Sequence, residues 1–245
     1  MKKIMRYVSG SWLCLWLCVQ SVAPVAGSDL RTQESTLYPF QSTIRLQDDF
    51  ISGGTTSGTI GQYGWNSVAA TISAITSETN RFGLIRVDTT AVSGTIGRMF
   101  LFSANGAIGA ANDFSIVTAS RLNTNDANTT VRIGLVSSPS ANPPADGVYF
   151  EKLDADTNWF CVTRAGAVQT RNDSGIAIST AFATFEIVRS STGVVFSIGT
   201  SKNVCTNTTN VTTAFLVPVF QIINSAAASK TMDVDYFQLS VTVSR

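Results

Sequence analysis

Histidine is absent from all 245 residues. That removes the commonest general base, the commonest metal ligand and every Ser–His or Cys–His nucleophile pair. Glutamate is scarce: only Glu34, Glu78, Glu151 and Glu186 occur, and no two are close neighbours in sequence. Charged residues make up 13% of the chain, with the arginines scattered singly. Without a basic run there is nothing to follow a phosphate backbone, so nucleic acid is not an expected partner. Beyond the N-terminus no apolar run approaches the roughly 20 residues of a helical membrane span. No stretch keeps the apolar spacing of three and four that an amphipathic helix needs. No internal repeat is visible either, which disfavours solenoids and propellers.

The N-terminus is different. Lys2, Lys3 and Arg6 precede an apolar run from Trp12 to Val19, and Val22–Gly27 ends in small residues. A positive start, a short apolar core and a small-residue exit make a secretory signal peptide, with cleavage expected between Gly27 and Ser28. Lipid attachment would need a small residue before the modified cysteine, but Leu13 precedes Cys14 and Leu17 precedes Cys18. Removal of Lys2, Lys3 and Arg6 from the 17 basic residues leaves 14 against 16 acidic, a net charge of −2. The expected organisation is a signal peptide at 1–27, a linker or N-terminal arm at 28–44, and one domain at 45–245. The location follows: secreted, periplasmic or at the cell surface. Only Cys161 and Cys205 remain after cleavage. In an exported protein such a pair is more often bridged than free. A bridge would close a loop of about 44 residues and contribute roughly 3–4 kcal/mol on the chain-entropy model. The competing reading is two buried small apolar side chains.

From Arg45 onward, short runs rich in Val, Ile, Phe and Thr alternate with clusters of Gly, Ser, Thr, Asn and Asp. This is the pattern of many short strands joined by turns. Strands are expected at Phe82–Asp88, Met99–Phe102, Phe114–Ala119, Val131–Val136, Val148–Leu153, Trp159–Arg164, Ala167–Arg171, Thr184–Arg189 and Val194–Ile198. Phe215–Ile223 is almost continuously apolar and should be buried on both faces. In Asp233–Val243, Val234, Tyr236, Gln238 and Ser240 should face away from Asp235, Phe237 and Leu239. Ser67–Ile75 is ambiguous, and its Val, Thr and Ile favour a strand. Asn142–Gly147, Arg164–Ala167 and Ser190–Gly193 read as turns. The sum is an all-β, two-sheet antiparallel sandwich.

Four stretches carry a resemblance. Gly147–Phe150 is followed by Asn158–Arg164; Asp173–Ile178 comes next; Thr184–Ile187 leads through a glycine turn to Val195–Ile198; Asp233–Leu239 closes the domain. With Asp48-Asp49-Phe50 and Gly64-Trp65 as an opening, the chain resembles the concanavalin A-like lectin/glucanase jelly-roll modules of bacterial surface proteins and phage structural proteins. The resemblance implies neighbouring first and last strands, with Asp49-Phe50 beside Tyr236-Phe237. Fold alone does not give function, because this fold hosts lectins, glycan hydrolases, adhesion modules and virion proteins.

Hydrolases of this fold use two closely spaced carboxylates on one strand, one as nucleophile or base and the other as acid. Glu151 with Asp154 and Asp156 is the nearest approach, and it runs into a turn. The expectation is therefore a non-enzyme. Asp154, Asp156 and Asn158 alternate in a way that a loop could wrap round calcium. Asn123, Asn125, Asp126 and Asn128 offer a second oxygen-rich loop. Against both stands a turn held by Asx hydrogen bonds. Tyr63 and Trp65, in the glycine-rich Gly61–Asn66, could form an aromatic platform for a sugar ring, although the resemblance implies that an aromatic at Trp65 packs into the core. Asp233 and Asp235 invite a metal reading against the plainer one of an exposed strand face. Asn128, Asn172, Asn207 and Asn210 begin glycosylation sequons.

The expected function is an exported, non-catalytic binding module, carbohydrate-binding or adhesive, with a glycan or cell-surface polysaccharide as partner. The alternative is a structural module that associates with itself or with other surface or virion proteins. A glycan hydrolase or lyase with an unrecognised site comes third. No cofactor is required beyond the calcium weighed above.

Overall fold

A computed structural model describes residues 34–35, 41–51, 54–68, 71–101, 108–124 and 127–244. The signal peptide and most of the arm lie outside the described residues. The strands are, in chain order, β1 Glu34–Ser35, β2 Gln41–Asp48, β3 Asn66–Val68, β4 Thr71–Ala74, β5 Ile85–Asp88 and β6 Ile96–Phe100. They continue with β7 Ile108–Gly109, β8 Phe114–Leu122, β9 Thr129–Val136, β10 Gly147–Lys152, β11 Asn158–Ala165 and β12 Val168–Ala177. The last are β13 Ala183–Ser190, β14 Gly193–Ile198, β15 Ser201–Asn207, β16 Phe215–Asn224 and β17 Thr231–Ser244.

Two antiparallel sheets result. Sheet I runs β1-β2-β17-β8-β13-β14-β15, with β5 also pairing with β17 and β4 with β5. Sheet II runs β12-β11-β10-β9-β16-β6-β3, with β7 on β16. The first long strand lies beside the last, with Asp48 opposite Phe237, as the resemblance implies. No helix among the described residues is long and apolar enough to cross a membrane.

Period-two alternation builds the core. Phe114, Ile116 and Leu122 of β8, Phe185 and Ile187 of β13, and Phe237, Leu239 and Val241 of β17 face sheet II. Val131, Ile133 and Leu135 of β9 and Val148 and Phe150 of β10 face back. Phe150 meets Phe185 at 5.1 Å and Phe196 at 5.2 Å between ring centres, bridging the layers. Each such pair adds about 0.5–1.5 kcal/mol beyond its burial. Leu216–Asn224 is buried on both faces, as its composition implies, although Phe215 projects into solvent.

Four details differ from the sequence reading. Ser67–Ile75 is not one strand: β3 belongs to sheet II and β4 to sheet I. The Phe82 strand begins only at Ile85, because Gly83 (φ 72°) turns the chain against the backbone of Asp49–Ile51. β2 starts at Gln41, within the segment read as an arm. In β17 a bulge at Asp235 resets the alternation, so Val234 points into the core like Phe237 rather than outward with Tyr236. A bulge inserts one residue and flips the register beyond it.

Cys161 and Cys205 form a disulfide with Cα atoms 6.3 Å apart, joining β11 of sheet II to β15 of sheet I. The seam continues in hydrogen bonds: Asn172 Nδ2 to Asn207 Oδ1 at 2.8 Å, Thr163 Oγ1 to the Thr209 carbonyl at 2.8 Å, and Asn210 Nδ2 to Thr170 Oγ1 at 3.0 Å. β12 and β15 are the terminal strands of their sheets. The seam therefore closes the side of the sandwich where unpaired strand edges would otherwise lie open to pairing.

Candidate functional site

Trp65 is not a platform. Its ring is wholly buried, 5.1 Å from Phe237 and 5.7 Å from both Phe50 and Phe220. Its Nε1 donates to Asp48 Oδ2 at 3.0 Å. The buried Asp48 carboxylate also accepts from the backbone N–H groups of Phe50 and Gln62 at 2.9 Å and Tyr63 at 3.3 Å. This carboxylate ties together Gln62, Tyr63 and Trp65 at the end of the 58–65 loop. A Cβ on Gly61 (φ 63°) would lie 2.3 Å from Asp48 Oδ2, so only glycine fits there. Tyr63 is half-buried and packs against the core.

Asp154, Asp156 and Asn158 diverge rather than converge. Asp154 Oδ1 accepts from Thr130 Oγ1 at 3.0 Å. Asp156 Oδ2 accepts from the Leu153 N–H at 2.7 Å and pairs with Arg171. Asn158 Nδ2 donates to both oxygens of Asp173 at 3.1 Å. The Lys152 ammonium already sits on the loop carbonyls, at 3.3 Å from those of Leu153 and Asp154. A lysine cation thus already sits on two carbonyls of this loop. No group of three His, Cys, Asp or Glu able to hold a metal occurs among the described residues. In the second loop, Asn123 donates to Thr231 Oγ1 at 2.7 Å and Asp233 Oδ1 at 3.0 Å, while Asn125 and Asp126 lie outside the described residues.

On the outer face of sheet II, strand register aligns Asp173, Phe160, Glu151, Arg132, Gln221 and Arg98 in one row. Glu151 Oε1 accepts from Arg132 Nε at 2.9 Å and Oε2 from Arg171 Nε at 2.8 Å. Arg132 and Glu151 are each only 3% exposed. Arg132 also donates to Gln221 Oε1 at 2.7 Å and Asn142 Oδ1 at 2.8 Å. The Pro139 carbonyl accepts from Arg98 at 2.9 Å and Gln221 at 3.3 Å. The loop at 137–146, rigidified by Pro143 and Pro144, is thereby folded back over the row. Arg171 lies 3.5 Å from the centre of the Phe160 ring. Beside the row, buried Val136, Tyr149, Val162, Val217 and Val219 form a small apolar cluster. Burial, reinforced by the Glu151 charge, pushes the Tyr149 hydroxyl up to about 12.

The outer face of sheet I carries a second cluster, and here Asp233 and Asp235 are not an exposed strand face. Asp233 stands directly opposite Arg86 on one side and Arg121 on the other. Its side chain is fully buried, with bonds to Arg86 at 2.7 and 3.0 Å, Arg121 at 3.0 Å and Asn123 at 3.0 Å. Burial would raise its pKa, but these donors outweigh burial and hold it below the ordinary carboxylate value. Asp235, on the bulge, pairs with Arg81, and burial pushes its carboxyl up despite that partner. Burial also pushes Asp88 up, partly offset by Arg86, and its Oδ1 has no hydrogen-bond partner. Glu78 accepts from Arg121 at 2.6 and 3.2 Å. The Phe182 ring is flanked by Arg81 at 4.2 Å and Arg121 at 4.5 Å. The pairing of Glu151 and Asp233 with arginines is not legible in the sequence, because a lone Glu or Asp in a strand names no partner until the register is known.

Two packed sheets, this strand order and the pairing of first and last strands settle the architecture. The fold is a concanavalin A-like jelly roll. No family model matches the chain, and no curated protein does. Solved structures do. A protein of unknown function from Shewanella oneidensis MR-1 is similar over 99% of this chain and 97% of its own, at TM-score 0.62 and 12% identity. A beta-1,3-glucanase from Mycobacterium marinum is similar over 79% of this chain and 97% of its own, at 0.56 and 10%. A glycosyl hydrolase family protein from Mycobacterium fortuitum gives 79% and 98%, at 0.55 and 12%. At such identities the likeness is one of fold.

Proposed function

We propose that the chain is an exported, non-catalytic module that binds carbohydrate. The observation that carries the reading is the state of the carboxylates. Both oxygens of Glu151 and both of Asp233 are held by arginines, and Asp156, Asp235 and Glu78 are paired likewise. Glycoside hydrolysis needs one carboxyl that can carry and release a proton and a second that is open to water or sugar. With both oxygens of each held by guanidinium groups, Glu151 and Asp233 are open to neither water nor sugar. The similarity of fold to a glucanase and a glycosyl hydrolase supports a glycan as the ligand class. The disulfide suits an oxidising compartment. A glycan array and an insoluble-polysaccharide pull-down with residues 28–245 test the reading. Saturable binding with no release of reducing ends is expected, whereas release of reducing ends would establish an enzyme.

A second reading is favoured by one patch. Ile51 and Phe82 are 64% and 63% exposed, and they sit on segments that touch where Gly83 meets the backbone of Asp49–Ile51. Large neighbouring apolar side chains in solvent mark contact surfaces. A structural module of a surface or virion assembly would use them. Sedimentation decides: a large homo-oligomer dispersed by Phe82→Ser supports this reading, and a monomer rejects it.

A further inference from the structure

The sandwich has an opening at one end. There the segment from Ile176 to Ala183 crosses from sheet II to sheet I and leaves a pocket of about 200 Å³ between the layers. We infer that this pocket receives one neutral, hydroxyl-bearing ring the size of a single pyranose. The inference rests on the carbohydrate-binding reading and gives it a location.

Ser120 is the first reason. It lies on β8 opposite Val234 and Ala183, which both face the interior, so its hydroxyl points between the sheets. It is 2% exposed, lines the pocket, and its Oγ has no hydrogen-bond partner. Thr118, two residues earlier on the same face, shows the contrast: its Oγ1 donates to the Tyr236 carbonyl at 2.6 Å. Buried hydroxyls are normally satisfied, and one left without a partner is a point where a ligand gains.

The walls are the second reason. Trp159 and Phe185 both line the pocket and stand edge to face, 4.8 Å apart. They close the pocket with an apolar floor that is itself only 4% and 2% exposed, while the exposed Ser179 and Thr200 lie on its rim. A few polar groups set in an apolar wall is how small-molecule sites fix orientation. The volume is below the about 300–1,000 Å³ of a drug-sized pocket, which restricts the occupant to one ring.

Charge is the third reason. Arg121 is the one charged residue in the lining, and its guanidinium is committed to Asp233 and Glu78 on the outer face of sheet I. No counter-charge therefore awaits an acidic sugar or a phosphate, and a neutral ring fits better.

The test uses residues 28–245, in which Trp65 and Trp159 are the two tryptophans. Their indole N–H resonances are followed by NMR while methyl glycosides of glucose, galactose, mannose and N-acetylglucosamine are added. The expected result is a saturable shift of Trp159 with Trp65 unmoved. Ala181→Phe, an exposed rim position, should abolish the shift. Ser120→Ala should weaken binding about tenfold, the loss of one good hydrogen bond, while leaving the unliganded protein as stable or more so. If Ser120 serves only a buried water, Ser120→Ala instead lowers stability and leaves the sugar titration unchanged, which overturns the proposal. A panel in which no sugar moves Trp159 also overturns it. Polysaccharide binding that survives Ala181→Phe rejects this pocket and keeps the wider reading. Polysaccharide binding absent altogether rejects the wider reading.

Discussion

Glu151 and Asp233 are each clamped between two arginines, on opposite outer faces of the sandwich, but the clamps are built differently. Glu151 on β10 draws its arginines from β9 and β12, 19 and 20 residues away, and the 137–146 loop folds over them. Asp233 draws on strands 147 and 112 residues away. Its arginines remain 32% and 20% exposed. The first clamp has one arginine fully buried and one 18% exposed and is local, whereas both arginines of the second reach solvent and come from distant strands. Desolvation decides what each is worth, because removal of one partner hurts most where the remaining charge cannot reach water.

The largest effect should come from Glu151→Ala. It strands the buried Arg132, so denaturant unfolding should show a loss of about 3–4 kcal/mol. Asp233→Ala should cost about 2 kcal/mol, less because solvent screens the arginines left behind. An equal or larger loss at Asp233 would break the comparison. Acidity sharpens it. The native pKa of Asp233 lies below its unfolded value, so its contribution is present above the ordinary carboxylate pKa of about 3.9 and is lost as pH falls through the lower native value. The stability gap between wild type and Asp233→Asn should therefore be full at pH 7 and should close in strong acid. Asp88 has the opposite sign. Its native pKa is raised, so its ionised form opposes folding once pH exceeds that value. Asp88→Asn should raise Tm slightly at pH 7, and the gain should vanish as pH falls through the ordinary carboxylate range. The smallest effect belongs to Lys202, 65% exposed and paired with Glu186 at 2.6 Å. Lys202→Ala should change stability by less than about 0.5 kcal/mol, since exposed pairs contribute little.

The strands from β8 to β11 and from β13 to β14 were legible in the sequence because one or both faces are buried and the alternation shows. β15, Ser-Lys-Asn-Val-Cys-Thr-Asn, was not, because a terminal strand stitched by a disulfide and Asn side chains needs few apolar residues. β12 shows strand character only to Arg171 in the sequence but runs to Ala177 for the same reason. The bulge at Asp235 could not be read, since nothing local distinguishes it from regular alternation. The site fared worse than the fold. Trp65 and Asp48 are joined by a contact across 17 positions, and the oxygens of the 154–158 loop looked available until Lys152 and Arg171 were placed beside them. Ser120 carried no signal at all: its interest lies in a partner it lacks.

The register of β17 has a geometric consequence. Its far end, Ser244, lies opposite Gln41, and β1 pairs with β2 at Ser42 and Thr43, so both flanks of the described residues lie at one pole. Val234, opposite Ser120 at the pocket, lies ten residues back along the strand, roughly 30 Å away at about 3.3 Å per residue. Anything that tethers the module through either flank would hold it by that pole. The opening between the sheets would then point away from the anchor, toward whatever the leash brings within reach.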